Sequence, residues 1–96
     1  MLNKKLTPII AGRKIKEATT ADDALHIEFE DGSKMRVKTG AMPSDSITGK
    51  EVKAVRQKGT EFNLDFADDT SSAIALAEET SSVMLRDAEG KMEYAD

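Results

Sequence analysis

The feature that most constrains this chain is that it matches itself. Shifted by 37 positions without a gap, Gly12 falls on Gly49, Ile15 on Val52, Lys16 on Lys53 and Ala18 on Val55. Farther along, Leu25 falls on Phe62, Ile27 on Leu64, Phe29 on Phe66, Asp31 on Asp68, Ser33 on Thr70 and Val37 on Ile74. Apolar positions meet apolar ones and turn residues meet turn residues. Residues 12–38 and 49–75 therefore read as two copies of one supersecondary unit. Neither copy can bury its apolar face alone, so the two must pack on each other.

Each copy reads as three strands. The first is the loosely alternating run from Arg13 to Thr20. The second, Leu25-His26-Ile27-Glu28-Phe29-Glu30, alternates apolar and polar strictly, as a half-buried strand does. Asp31-Gly32 then predicts a two-residue hairpin turn. The return strand, Lys34 to Lys38, turns Met35 and Val37 inward and Lys34, Arg36 and Lys38 outward. The second copy repeats this with Phe62, Leu64 and Phe66, a turn at Asp68-Asp69, and a return strand carrying Ile74 and Leu76.

Ser72 to Glu79 also has high helix propensity, so a helix there is an alternative that the repeat register disfavours. Thr39 to Lys50, rich in Gly, Ser, Pro and Thr, is a connection. The Asp87-Ala88-Glu89-Gly90 loop predicts a closing β-hairpin over residues 82–95. Thr7-Pro8, with Gly12 beyond, predicts a short N-terminal helical turn capped by Thr7. The expectation is one small, mainly β domain over residues 1–96, a barrel or a sandwich, whose core holds Leu25, Ile27, Phe29, Phe62, Leu64 and Phe66.

Composition narrows the function classes. A chain 39% hydrophobic and 33% charged reads as a folded globule rather than a disordered segment. With no cysteine, disulfides, thiolate catalysis and Cys-ligated zinc are excluded, and the expected location is cytoplasmic. The basic opening is followed by an apolar stretch too short for a signal peptide, and no run approaches a membrane span. His26, the only histidine, lacks a readable nucleophile or metal-ligand partner and reads as an outward strand residue. The pairs Asp22-Asp23 and Asp68-Asp69 suit turns, and Glu78-Glu79 has no calcium-loop spacing. No enzyme constellation, cofactor or metal site is expected.

Charge is unevenly spread. Residues 1–58 carry 12 Lys/Arg against 8 Asp/Glu, and residues 59–96 carry 2 against 10. Lys34, Arg36 and Lys38 align with Ser71, Ala73 and Ala75, so one return strand shows a basic outer row and its counterpart a small one. The small row would let another backbone approach closely, and the closing hairpin is the expected neighbour. The candidate interaction face is Arg13, Lys14, Lys16, Lys34, Arg36 and Lys38. The expected function is a non-catalytic interaction module that binds a protein partner or its own copy through strand edges. Nucleic-acid binding through the basic face is the alternative. The Leu25-x-Ile27-x-Phe29-x-Asp31-Gly32-Ser33 texture, echoed from Phe62 to Thr70, and the closing Val-x-Leu-Arg-Asp run resemble small bacterial domains of no named family. That resemblance implies a free-standing bacterial domain and no particular activity.

Overall fold

The computed structural model describes residues 3–21, 24–39, 47–78 and 82–95. The Asp22-Asp23 turn, most of the Thr39–Lys50 connection and Glu79 lie outside the described residues. After a short helix α1 (Thr7–Ile10) come β1 (Ile15–Ala21), β2 (Ala24–Phe29), β3 (Lys34–Lys38), β4 (Val52–Lys58), β5 (Glu61–Phe66), β6 (Ser71–Ala75), β7 (Val83–Arg86) and β8 (Met92–Ala95). They form a five-stranded sheet, β1-β2-β3-β7-β8, and a three-stranded sheet, β4-β5-β6. All pairings are antiparallel. The segment from Ser71 is strand, not helix, because alternation turns Ser72, Ile74 and Leu76 inward onto the core.

The ladders of the two three-strand units coincide at the same 37-residue shift. Ala18 faces Ile27 and Val55 faces Leu64; Ile27 faces Met35 and Leu64 faces Ser72. Even the bulges correspond, one between Ile15 and Glu17 and one between Val52 and Ala54. Two isolated bridges join the units, Lys14 to Glu51 and Thr39 to Leu76, and each pairs a residue with its own counterpart. Such self-pairing places both bridges on one pseudo-two-fold axis. The bonds around the first are symmetric too: Gly12 N–H donates to Val52 O at 2.7 Å and Gly49 N–H to Ile15 O at 2.8 Å. The ladder stops at these single bridges, so the sheets do not close into a barrel.

The inner faces share one core. All six residues expected there are buried, joined by Leu6, Ile10, Ile15, Met35, Val37, Ile47, Val52, Val55, Ile74, Leu76, Val83 and Leu85.

Three local readings need correction. The β2–β3 turn is a three-residue loop, not a two-residue one: Phe29 N–H donates to Ser33 O and Gly32 N–H to Phe29 O, with Gly32 at φ 90°. This is a type I turn closed by a left-handed residue, a geometry that needs Gly third rather than second. Thr7 does not cap α1. Its hydroxyl instead accepts from Val55 N–H at 3.0 Å and donates to Val55 O at 3.1 Å, while Asn3 Oδ1 accepts the Leu6 N–H at 2.8 Å. Those contacts, with Asn3 N–H on Val55 O, close the outer edge of β4. Finally, the closing hairpin pairs through β7 with the basic strand β3, not with the small row of β6. Among the described residues, no helix is long and apolar enough to cross a membrane.

A charge-segregated groove on the five-stranded sheet

Strand alternation sends one set of side chains from β1, β2, β3 and β7 to the outer face, and the register lines them up in rows. One row runs Glu17, Glu28, Lys34, Arg86; the next runs Thr19, His26, Arg36, Met84. Together they line a shallow groove of about 380 Å³. In the first row the charges are segregated. Glu17 stands directly across from Glu28, and Lys34 directly across from Arg86. Like charges in directly opposed positions destabilise a sheet, typically by a few tenths of a kcal/mol to about 1 kcal/mol.

The acidic pair is partly relieved by Lys16, whereas the basic pair is not. Glu28 reaches Lys16 at 3.6 Å rather than its cross-strand neighbour Lys34. Among the described residues, no carboxylate lies within ion-pairing distance of Lys34, Arg36 or Arg86. Arg86 donates one Nη1–H to Gly90 O at 3.0 Å, which leaves the rest of its guanidinium edge exposed. Arg36 lies beside His26 on one side and Met84 on the other.

Of the six residues of the expected interaction face, Lys16, Lys34, Arg36 and Lys38 sit exposed on the outer side of this sheet. Lys14 stands at the bridge to Glu51. Arg13 is engaged elsewhere. Its guanidinium holds Glu93 of β8 with two bonds of 2.8 and 2.9 Å, donates to Ser33 Oγ at 3.0 Å and lies 3.4 Å from Asp31. The Glu93 bonds, against the cost of burial, raise the Arg13 pKa above its ordinary value. Arg13 is therefore a clamp between the β2–β3 loop and the last strand. Its counterpart Lys50 makes the same contacts in miniature, to Thr70 Oγ1 at 2.7 Å and Asp68 at 3.4 Å, with Nζ 5.3 Å from the Phe66 ring centre.

The sequence reading missed Glu17, Met84 and Arg86 as groove residues. Only the β3–β7 pairing brings the last two beside Lys34 and Arg36, and nothing local in the sequence announces that pairing. No family model, curated protein or solved structure matches the chain.

Proposed function

We propose that this protein is a non-catalytic interaction module that captures an extended segment of a partner polypeptide as an added strand on β6. The observation that carries this reading is the unequal treatment of two equivalent strands. The bonds from Phe66 N–H to Thr70 O and from Leu76 N–H to Thr60 O turn alternate residues of β6 towards β5. Ser71 and Ala73 therefore direct their main-chain N–H and C=O groups to the outer edge. In β3 the matching groups of Lys34 and Arg36 are taken by β7, across from Arg86 and Met84, and Lys38 N–H donates to Ser82 O at 2.7 Å. Among the described residues no strand occupies that place beside β6; the chain meets its end only at Thr39, which is bridged to Leu76 and donates its Oγ1–H to the Ala75 carbonyl at 2.6 Å.

Sheet edges are usually guarded by lysine, proline or a bulge. β6 carries none of these, and its outward side chains, Ser71, Ala73 and Ala75, are small and exposed. Main-chain pairing along such an edge supplies affinity, and alternate side chains supply selectivity.

The test compares the tagged wild-type chain with Ala73→Pro in a nuclease-treated lysate. Proline removes an N–H aimed at the open edge, so the β5–β6 ladder keeps its bonds and the fold keeps its melting profile. A protein captured by the wild type and lost by the variant supports strand addition. Equal capture by both chains counts against it, and material lost on nuclease digestion would favour nucleic acid instead.

A further inference from the structure

We infer that the groove on the five-stranded sheet is a binding site for a small zwitterion bearing a phosphate at one end and an amino group at the other. This site lies on the opposite sheet from β6 and does not depend on the strand-addition reading.

A sheet surface selected only for stability would alternate its charges across neighbouring strands. Here the row Glu17, Glu28, Lys34, Arg86 puts two acids together and then two bases. Lys16 offsets the acidic pair only in part, through Glu28, and nothing offsets the basic pair among the described residues; a ligand with separated charges of its own compensates both at once. The equivalent row in the other unit is Ala54, Asp65, Ser71, which lacks the segregation. There Arg56 pairs instead with Asp65 at 2.8 Å. The polarised row is thus a property of one sheet and not of the repeated unit.

The basic end selects the anion. Lys34, Arg36 and Arg86 all line it, and a single carboxylate would leave most of that charge uncompensated. A phosphate dianion with three acceptor oxygens matches it, and guanidinium edges bind such oxygens in pairs. Thr19 and His26 add polar groups beside it.

The acidic end selects the cation and rejects long polyanions. Glu17 and Glu28 would repel a nucleic-acid backbone laid along the row, but they accept hydrogen bonds from an ammonium group. The centres of the β1–β2 and β3–β7 pairs are two strand spacings apart, about 10 Å, which long side chains shorten. An amino-sugar phosphate spans that gap, and a volume of about 380 Å³ holds such a molecule.

The experiment is a titration of the full, isotopically labelled chain, followed by backbone amide resonances. Glucosamine 6-phosphate, glucose 6-phosphate, glucosamine and a single-stranded oligonucleotide are compared. At about 10 mM, a ligand with a Kd of about 1 mM is near saturation. The expected result is saturable shifts centred on Glu17, Glu28, Lys34 and Arg86, reaching His26 and Arg36 beside them, with glucosamine 6-phosphate. Binding should be weaker for glucose 6-phosphate and absent for glucosamine. Arg36→Gln with Arg86→Gln should weaken it about tenfold or more while the melting profile is retained. Equal affinity for the two sugar phosphates would overturn the role given to Glu17 and Glu28. No saturable shift with either, or shifts unchanged in the double variant, would overturn the site. Tight, steeply salt-dependent binding of the oligonucleotide would replace it with a nucleic-acid surface.

Discussion

The same loop is used three times, and its third residue tests how much backbone geometry matters here. Gly32, Asp69 and Gly90 occupy the left-handed position with φ of 90°, 67° and 85°. Asp69 is the odd one, since a side chain there costs about 1 kcal/mol that glycine avoids. Its own ion pair, 3.9 Å to Lys53 between exposed groups, contributes little. Asp69→Gly is therefore expected to stabilise the chain by about 0.5–1 kcal/mol, a rise of several degrees in Tm on thermal unfolding. Gly32→Ala should do the reverse, because its Cβ would also stand 3.0 Å from that of Ala88. Next to Gly32, Asp31 gives the fold an acid-sensitive contact. Burial pushes its pKa up, but the Ser33 hydroxyl and amide hydrogen bonds and the Arg13 charge outweigh that and hold it below the ordinary value. A carboxyl that is more acidic when folded stabilises the fold above the unfolded pKa of about 3.9. That stability fades as pH falls through the lower, folded value. Asp31→Asn should thus be less stable than wild type near neutral pH in urea, and the gap should close in strong acid. A gap that persists unchanged at low pH would mean the charge on Asp31 is immaterial.

At the scale of elements, the strands and their inward faces were legible in the sequence because their information is local. Strict alternation from Leu25 to Phe29 and from Phe62 to Phe66 fixes which side is buried, and all of those inward residues are. The turn lengths were less legible, since Asp-Gly serves a two-residue loop or the last two places of a three-residue one. Where the closing hairpin docks was not legible at all. β3 and β6 offer the same main-chain groups, and the choice between them rests on contacts distant in sequence. Met35 lies across from Leu85 and Val37 across from Val83, and Arg13 reaches Glu93. That last contact yields a prediction at this scale. Arg13→Lys keeps a cation beside Ser33 and Asp31, as Lys50 does beside Thr70 and Asp68, but cannot form the two-bonded grip on Glu93. A loss of about 1–3 kcal/mol is expected. It should appear first as faster hydrogen exchange in β8, with β5 protected as before. Uniform loss of protection across both sheets would show that the clamp supports the whole fold instead.

At the scale of the molecule, the pseudo-two-fold axis implies that neither unit is a domain by itself. Phe29 and Phe66 are symmetry counterparts, each 1% exposed, and each lies across from the first residue of its own unit's leading strand, Ile15 or Val52. Those two residues are also where the units exchange main-chain bonds, Ile15 N–H to Lys50 O and Val52 N–H to Arg13 O. Two of the three phenylalanines of the core therefore sit beside the seam between sheets. Removing either should be felt on both sides of it. Truncation of a buried phenylalanine costs about 3–5 kcal/mol, against a total of roughly 5–14 kcal/mol for a chain of this length. Phe29→Ala and Phe66→Ala are each expected to lower Tm by well over 10 °C, in similar amounts because each ring is equally buried at the same place in its unit. Each variant should still unfold in one transition, the same whether followed by secondary-structure signal or by amide resonances from either sheet. The terminal hairpin makes that a demanding test, because it thickens only the sheet that contains Phe29. If Phe66→Ala melted the three-stranded sheet first and left the five-stranded sheet folded, the shared core would be two cores. A single coincident transition in both variants would show that the seam, with its two bridges, couples the repeated units into one cooperative structure.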